Sequence, residues 1–148
     1  MAAADLQDQI HAFSSYLRVW NDSYAEYAKS LGLSHAGLSV LNCIYRFNGE
    51  CTQKMLCAYC YLPKQTVNSI VTTFYKQGWV RLEELPEDRR NKTIHFTEEG
   101  QRQAKQIVHR VHESERRAMS LLSPEEREIM LSATQRYTEA CRDNLNKK

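Results

Sequence analysis

The chain has 148 residues, with 20 Lys and Arg against 18 Asp and Glu, so its formal net charge is only +2. This length favours a single domain, or one with an added assembly surface, and 42% apolar residues are typical of a globular protein. Only 5 Gly and 3 Pro argue against a turn-rich β-sandwich or barrel. No apolar run approaches the roughly 20 residues that span a bilayer, so we expect no membrane partner. Taken alone, the near-neutral charge argues against a nucleic-acid partner.

A long amphipathic helix is predicted over residues 5–30, because apolar residues recur every three or four positions. They are Leu6, Ile10, Phe13, Leu17, Trp20 and Tyr24. Gly32 is expected to end this helix. So long an apolar stripe in a small chain needs a partner surface, either within the chain or on a second copy.

Three shorter helices are predicted next. Ser34 is a good N-cap for the second helix, which Asn48-Gly49 stops. Thr52 is expected to cap a short third helix that ends near residues 61–62. Pro63 is expected at the first position of a fourth helix that runs to about residue 77. The buried faces of the second and fourth helices are assigned to Leu38, Leu41, Ile44 and Tyr45, and to Val67, Ile70, Val71 and Phe74.

A β-hairpin is predicted after the fourth helix. Residues 79–83 alternate weakly and can pair with residues 93–96, and the polar, charged segment 85–91 between them predicts a long tip. Thr97 is expected to cap a fifth helix, and Ser123-Pro124 begins a sixth with a capping box. This order predicts a mainly α fold that contains a winged helix-turn-helix.

The wing segment resembles that of the MarR (multiple antibiotic resistance regulator) family of bacterial and archaeal transcription factors. Its Asp88-x-Arg90 is followed, seven residues after the arginine, by Thr97-x-x-Gly100, which is the family's most specific motif. Residues 62–80 also fit the family's recognition-helix segment without a gap. The specific resemblance covers residues 33–100, and the long flanking helices are compatible with the family by length and position.

The resemblance implies a mainly α fold, a winged helix-turn-helix with long N- and C-terminal dimerisation helices. The DNA-binding domain would cover residues 33–97, and the helical dimerisation region residues 5–31 and 98–146. It implies a cytoplasmic transcription regulator, a repressor that binds a pseudo-palindromic double-stranded DNA operator as a homodimer and responds to a small ligand. The sequence contains no catalytic motif, so we expect neither an enzyme nor a cofactor.

Short hydrogen-bonding groups dominate the predicted outer face of the fourth helix. Gln and Asn side chains can bond to adenine edges and Thr methyl groups can contact thymine, which suits an A·T-rich site, although any soluble helix needs a polar outer face. Arg89 and Arg90, at the expected hairpin tip, can enter a narrow minor groove, and by resemblance Asp88 would hold the Arg90 guanidinium. The candidate DNA-binding residues are Lys64, Gln65, Thr66, Asn68, Ser69, Thr72, Thr73, Asp88, Arg89, Arg90 and Lys92.

Two features separate this chain from the family pattern. Tyr61 stands in the turn where members often have Gly, and Ser69 and Thr73 stand where members often have Arg or Lys. Nevertheless, residues 63–97 carry 6 basic and 4 acidic groups, the largest basic excess of any third of the chain. We therefore expect DNA binding to depend mainly on Arg89, Arg90 and Lys92.

Five cysteines, an odd number, with no recognisable secretory signal indicate reduced thiols. Cys43, Cys57 and Cys60 are interpreted as small buried apolar side chains, and Cys51 alone is expected to be exposed. Two alternatives remain open: a thiol-based redox-sensing regulator that uses Cys51, Cys57 and Cys60, and a zinc site. The peroxide sensors of the resembled family carry their reactive cysteine on the first helix, where this chain has none.

A small aromatic or phenolic effector is the further partner that the resemblance implies. The candidate effector-binding residues are Arg18, Trp20, Tyr24 and Tyr45, because a guanidinium can bind a carboxylate and the rings can stack on an aromatic ligand. Packing within the core is the competing interpretation for these rings. A winged-helix protein-interaction module without DNA binding is the alternative from another class, and the cationic wing argues against it.

Overall fold

The computed structural model describes residues 5–48 and 50–147. Residues 1–4, where no secretory signal is expected, and Gly49, predicted to stop the second helix with Asn48, lie outside the description. In chain order the elements are α1 (Leu6–Ser30), α2 (His35–Phe47), β1 (Cys51–Thr52), α3 (Gln53–Cys60), α4 (Lys64–Lys76), β2 (Val80–Leu85), β3 (Asp88–Phe96), α5 (Glu98–Ser120) and α6 (Pro124–Asn146). The predicted mainly α fold with a winged helix-turn-helix is confirmed.

The helices α2, α3 and α6 begin where their capping residues predict. Ser34 Oγ accepts a hydrogen bond from the backbone N–H of Gly37 at 2.9 Å, and Thr52 Oγ1 accepts one from that of Met55 at 3.3 Å. Ser123 and Glu126 form the reciprocal capping box at the start of α6. The prediction for Pro63 is wrong by one residue: its extended ψ of 148° makes it the N-cap, and α4 begins at Lys64.

Two helices end in a left-handed residue that is not glycine. Asn48 ends α2 with φ 44°, and Tyr61 ends α3 with φ 52°. Asn tolerates this region well, whereas a tyrosine adopts it only when the surrounding turn requires it. Tyr61 therefore occupies a position that suits glycine, and its side chain, 92% exposed, extends into solvent.

The sheet has a third strand that the sequence did not predict. Its order is β1-β3-β2, with Cys51 opposite Ile94 and Thr52 opposite Thr93. β1 is only two residues long, so it carries no alternating pattern, and Thr52 also serves as the N-cap of α3.

The predicted long hairpin tip is wrong. β2 pairs with β3 from Val80 opposite Phe96 to Leu85 opposite Asp88, with an irregularity between Glu84 and Leu85. Only residues 86–87 remain in the turn. Apolar alternation could not reveal the outer part of the strands, because side chains on both faces are exposed there and backbone hydrogen bonds alone define it.

The core of the winged region forms between α2, α3, α4, the sheet and the first half of α5. The buried side chains include Leu38, Leu41, Ile44, Leu56, Val67, Val71, Phe74, Val80, Ile94, Ala104 and Val108. The predicted buried faces of α2 and α4 are confirmed, although Tyr45 and Ile70 are only half-buried. The Tyr27 hydroxyl on α1 donates to the Ile107 carbonyl of α5 at 3.1 Å. This bond connects the long first helix to the core.

The chain divides into two compact units, residues 1–108 and residues 109–148. The second unit contains the end of α5 and the whole of α6. No described residue of α6 is buried. Within residues 5–48 and 50–147, every helix is too short or too polar to cross a membrane.

Candidate nucleic-acid interface

Helix α4 presents a polar, solvent-exposed face opposite its buried apolar residues. Val67, Val71 and Phe74 point into the core, since they recur at the spacing of one helical face. The exposed candidates on the other side are Lys64, Gln65, Asn68, Ser69, Thr72 and Thr73, whereas Thr66 is half-buried. This face thus presents amide and hydroxyl groups on an α-helix, and an α-helix fits the width of a DNA major groove.

Two hydrogen bonds order part of this face. Gln53 Nε2 on α3 donates to Asn68 Oδ1 at 3.2 Å, which fixes the amide and ties the two helices together. Thr73 Oγ1 donates to the backbone carbonyl of Ser69 at 3.0 Å, so the Thr73 hydroxyl proton is used within the helix. The methyl group of Thr73 remains available for an apolar contact.

Asp88 organises the start of β3, but through the backbone. Its Oδ1 accepts from the backbone N–H of Arg90 at 3.0 Å, and its Oδ2 accepts from Asn91 Nδ2 at 2.9 Å. Among the described residues Asp88 makes no ion pair with Arg90, so the expected bond to the guanidinium is not seen. The Arg90 guanidinium therefore remains available to a ligand. Arg89 and Arg90 lie on β3 itself, since the turn is shorter than predicted.

A cationic groove of about 650 Å³ lies between the helix-turn-helix and the wing. Its lining residues are Gln53, Lys54, Cys57, Lys64, Asn68, Leu82, Arg90, Asn91, Lys92 and Ile94. Four of these side chains are cationic and none is a carboxylate. Such a concentration of one sign attracts a polyanion, because the low-dielectric walls focus the field.

The groove joins some of the predicted residues and adds others. Lys64, Asn68, Arg90 and Lys92 meet in it, whereas Arg89 is not among its lining residues. Lys54 and Gln53 are not among the residues that the sequence predicts. They occupy the first turn of α3, just after the Thr52 cap. The sequence places Lys54 in the first turn of a capped helix, which was the one sign that it could take part in the site. Only the packing of α3 beside β3 shows that the Lys54 side chain enters the groove.

The base of the wing is fixed by the second half of the sequence motif. Thr97 Oγ1 donates to the Gly78 carbonyl at 2.5 Å and accepts from the backbone N–H of Gly100 at 3.0 Å. Thr97 thereby caps α5, as predicted, and holds both ends of the hairpin. A Cβ atom on Gly100 would lie only 1.8 Å from the Trp79 carbonyl oxygen, so α5 begins in direct contact with the exit of α4.

One carboxylate on the wing is paired. Glu83 Oε1 accepts from Arg81 at 2.5 Å and Glu83 Oε2 lies 3.0 Å from His95 Nε2. The hydrogen bond from Arg81, together with the charges of Arg81 and His95, lowers the pKa of Glu83. Pairing reduces the repulsion that this exposed carboxylate would exert on a phosphate backbone.

The cysteines contradict one expectation. Cys51 is fully buried in β1, not exposed, and this burial raises the pKa of its thiol to about 12. Cys43 and Cys60 are half-buried, with their Sγ atoms 3.2 Å apart. Within the part of the chain that the structure describes, no three His, Cys, Asp or Glu side chains are placed to share a metal ion.

The candidate effector residues fall into separate places. Trp20 contacts Tyr24 edge to face at 5.3 Å between ring centroids, and Tyr24 stacks on His35 at 6.4 Å. Arg18 lies two residues before Trp20, which places it about 200° away around α1, on the other side of the helix. Tyr45 is half-buried on α2. Two of the four candidates, Trp20 and Tyr24, therefore share a ring cluster with His35.

The sequence model of the MarR family matches residues 31–91, which contain α2, β1, α3, α4, β2 and the first part of β3. No curated protein sequence gives a significant match to the chain.

Solved structures with the same fold include three that match most of both chains. AbsC, a MarR family transcriptional regulator from Streptomyces coelicolor, is 19% identical with a TM-score of 0.78, over 97% of this chain and 98% of that one. The MepR–DNA complex from S. aureus is 16% identical with a TM-score of 0.72, over 88% and 96%. BpsR from Bordetella bronchiseptica, whose DNA binding is regulated by 6-hydroxynicotinic acid, is 16% identical with a TM-score of 0.69, over 93% and 96%. At these identities the likeness establishes the shared fold.

Proposed function

We propose that this chain, which carries a MarR-family winged helix-turn-helix domain over residues 31–91, is a DNA-binding transcription regulator. The observation that supports this most is the groove in which Lys54, Lys64, Arg90 and Lys92 converge without a carboxylate. The groove continues into the polar face of α4. A cationic cleft beside an exposed helix of amides and hydroxyls has the chemistry that reads duplex DNA, with cations on phosphates and polar groups on base edges.

The two halves of the site have different tasks. Helix α4 enters the major groove, where Gln65 and Asn68 read adenine edges and the Thr72 and Thr73 methyl groups contact thymine. Arg90 extends from β3 into the adjacent minor groove, where a narrow A·T-rich segment strengthens the negative potential. Lys64 and Lys92 neutralise phosphates. In this arrangement Arg89, Thr66 and Ser69 lie beside these residues and make secondary contacts with the DNA.

The chain acts as a homodimer in this proposal. Residues 33–97 supply the DNA-binding domain, and residues 5–31 and 98–146 supply the dimerisation region. The apolar side chains left exposed on α1 and α6 support this: Leu6 is 70% exposed, Ile129 68% and Leu145 85%. Exposed apolar surface of this extent is typical of an association surface. Two copies would then present two recognition helices to a pseudo-palindromic operator.

Repression relieved by a small aromatic or phenolic acid is the regulatory part of the proposal. The edge-to-face contact of Trp20 with Tyr24, and the 60% exposure of Trp20, leave a ring face to stack on a ligand. BpsR, which has the same fold, has its DNA binding regulated by 6-hydroxynicotinic acid. An effector that prefers a dimer with mis-spaced recognition helices would lower the population that binds the operator. Action in the cytoplasm accords with this role.

The test begins with selection of duplexes from a randomised DNA pool by the full-length chain. The affinity for a selected duplex is then measured by fluorescence anisotropy over a series of salt concentrations. We expect a steep fall in affinity as salt rises, since phosphate contacts release counterions. Arg90→Ala should weaken binding about tenfold or more, with an unchanged circular dichroism spectrum.

The control is Arg142→Ala, which removes one exposed cation from α6, away from the groove. This control should bind the duplex like the wild type. Failure to enrich any duplex, or equal affinities for wild type and Arg90→Ala, would contradict the proposal. Salt-independent binding would instead favour a winged-helix protein-interaction module.

A further inference from the structure

Two thiols lie in direct contact where the second and third helices pack together. Cys43 lies on α2, and Cys60 is the last residue of α3. Their Sγ atoms are 3.2 Å apart, and the Cys60 thiol donates a hydrogen bond to Cys43. Both side chains are only half-buried, so a small solute can reach them. A disulfide has an S–S distance of about 2.05 Å, so the two atoms need to approach by only about 1 Å.

We propose that Cys43 and Cys60 form a reversible intrachain disulfide on exposure to hydrogen peroxide, with Cys43 as the thiolate that reacts first and Cys60 as the resolving thiol. This site differs from the three cysteines that the sequence suggested for redox chemistry, because Cys51 is buried and Cys43 takes its place. It does not depend on the proposed function in DNA binding.

The chemistry takes place in two steps. The Cys43 thiolate attacks one peroxide oxygen, so that an S–O bond forms, the O–O bond breaks, and the departing hydroxide takes a proton to become water. Cys60 then loses its proton and attacks the sulfenic sulfur, so that the S–S bond forms and the S–O bond breaks with release of a second water. Two thiols and one peroxide give one disulfide and two waters. A reducing thiol such as glutathione reverses the change by exchange.

The charges around the pair favour this order. The hydrogen bond from Cys60, together with the positive charge of Arg46 one turn along α2, lowers the pKa of Cys43 to about 7, against the opposing effect of burial. The same hydrogen bond and burial raise the pKa of Cys60. Burial, with a further contribution from the charge of Cys43, raises the pKa of Cys51 to about 12, so this neighbouring thiol is neutral near pH 7. Cys43 is therefore the better nucleophile, since the thiolate is the reactive form.

Cys57 is the competing partner, because it precedes Cys60 by three residues on the same helix. Its side chain lines the cationic groove, whereas Cys60 contacts Cys43 directly. Cleavage after Lys and Arg places Cys43 in the peptide 30–46 and both Cys57 and Cys60 in the peptide 55–64. The mass of the linked peptides alone cannot separate the two partners, so the experiment needs variants.

The experiment treats the reduced full-length chain with a small excess of hydrogen peroxide, blocks the remaining thiols with N-ethylmaleimide and analyses the digest by mass spectrometry. We expect peptides 30–46 and 55–64 to be linked, and the link to disappear after dithiothreitol. Cys57→Ser and Cys141→Ser should keep the link, whereas Cys43→Ser and Cys60→Ser should lose it. Cys60→Ser should instead accumulate a sulfenic acid on Cys43, which a dimedone adduct reveals.

Three outcomes would overturn the proposal. The first is that no linked peptide forms in the folded wild-type chain. The second is that the link survives Cys60→Ser and is lost in Cys57→Ser, which would make Cys57 the partner. The third is that the oxidised product is a disulfide between two chains through Cys141. Circular dichroism of each variant shows whether it folds, and the wild-type chain alone already decides the first outcome.

Discussion

Gly100 lies so close to Trp79 that a Cβ atom on the glycine would stand 1.8 Å from the Trp79 carbonyl oxygen and 2.6 Å from its carbonyl carbon. These are backbone atoms at the start of the wing, so they cannot rotate away as a side chain could. The glycine of the Thr97-x-x-Gly100 motif therefore serves the fold: it allows α5 to begin against the exit of α4.

We expect Gly100→Ala to lower the free energy of unfolding by about 3 kcal/mol, since overpacking against backbone forces the two elements apart. Urea denaturation measures the change. The matched control is Gly37→Ala, because Gly37 occupies the same third position of its helix and is likewise bonded to the capping residue. Its Cβ would meet only the Ser34 Oγ at 3.1 Å and the Leu33 Cβ at 3.9 Å. The control should change stability by less than about 1 kcal/mol, and equal losses in the two variants would contradict this explanation.

Asp88→Ala should weaken DNA binding about fivefold, although it removes a negative charge from the wing. The carboxylate holds the Arg90 N–H and the Asn91 amide, so its loss frees the strand that positions the Arg90 guanidinium. Stability should change by less than about 1 kcal/mol, because the residue is exposed. Glu87→Ala is the control with the same charge change, and it should bind equally well or slightly more tightly. If the two variants behave alike in anisotropy titrations, Asp88 acts only through its charge.

Ile129→Glu should shift the chain from dimer toward monomer. The side chain is 68% exposed in a single chain, so the substitution does not disturb the packing within that chain. It does place a charge among the exposed apolar side chains of α6, at a cost that we expect to raise the dimer Kd at least tenfold. Sedimentation velocity at decreasing concentration measures the change. Gln135→Glu adds the same charge about 120° around α6 from Ile129 and should leave the dimer intact. A monomeric wild type would remove the dimer proposal altogether.

Alkylation of Cys43 should accelerate about tenfold between pH 6 and pH 8. With a pKa of about 7, the reactive thiolate rises from about a tenth of the molecules to about nine tenths over this interval. The rate is followed by mass spectrometry of iodoacetamide labelling. Cys60→Ser keeps a hydroxyl donor and should keep the midpoint near 7, whereas Cys60→Ala removes the donor and should move it upward. An equal midpoint in the two variants would show that the hydrogen bond does not lower the pKa of Cys43.

Oxidation of the Cys43–Cys60 pair should weaken DNA binding at least fivefold, a prediction that depends on both proposals. Cys60 ends α3 and is followed by Tyr61, whose left-handed conformation leads into α4. Drawing the end of α3 toward α2 therefore moves the start of the recognition helix. Anisotropy compares the oxidised and re-reduced wild type, with peroxide-treated Cys43→Ser as the control. Full affinity in a chain that mass spectrometry shows to be disulfide-linked would separate the thiol chemistry from DNA binding.

The sequence predicted the helices well, because caps and apolar periodicity are local signals. Ser34, Thr52 and Ser123 each begin a helix as expected, and the faces that contain Leu41 and Val71 are buried. The wing was predicted less well. β1 is too short to show a period, and the outer strands are held by backbone hydrogen bonds between exposed residues.

The candidate site was predicted in part for the same reason. The polar face of α4 follows from its helical period, and Arg90 and Lys92 follow from the wing motif. The convergence of Lys54 with Lys64 and Arg90 depends on how α3 packs beside β3, and the contact of Cys43 with Cys60 depends on how α2 packs on α3. The spacing of residues along the chain predicts neither the convergence of the cations nor the contact of the thiols, because both join residues on different elements.

Thr52 belongs to two structures at once: it pairs with Thr93 in the sheet and caps the helix that supports α4. The strand that carries Arg90 is thus paired with the N-cap residue of α3. Because of this pairing, the wing cannot bend independently of α3. It therefore cannot adjust by itself to a duplex in which the minor groove is slightly out of phase with the adjacent major groove. In the proposed complex, the protein would thus set the distance along the DNA between the major-groove and minor-groove contacts. Base changes that alter the local twist would then change the affinity even where no side chain touches a base.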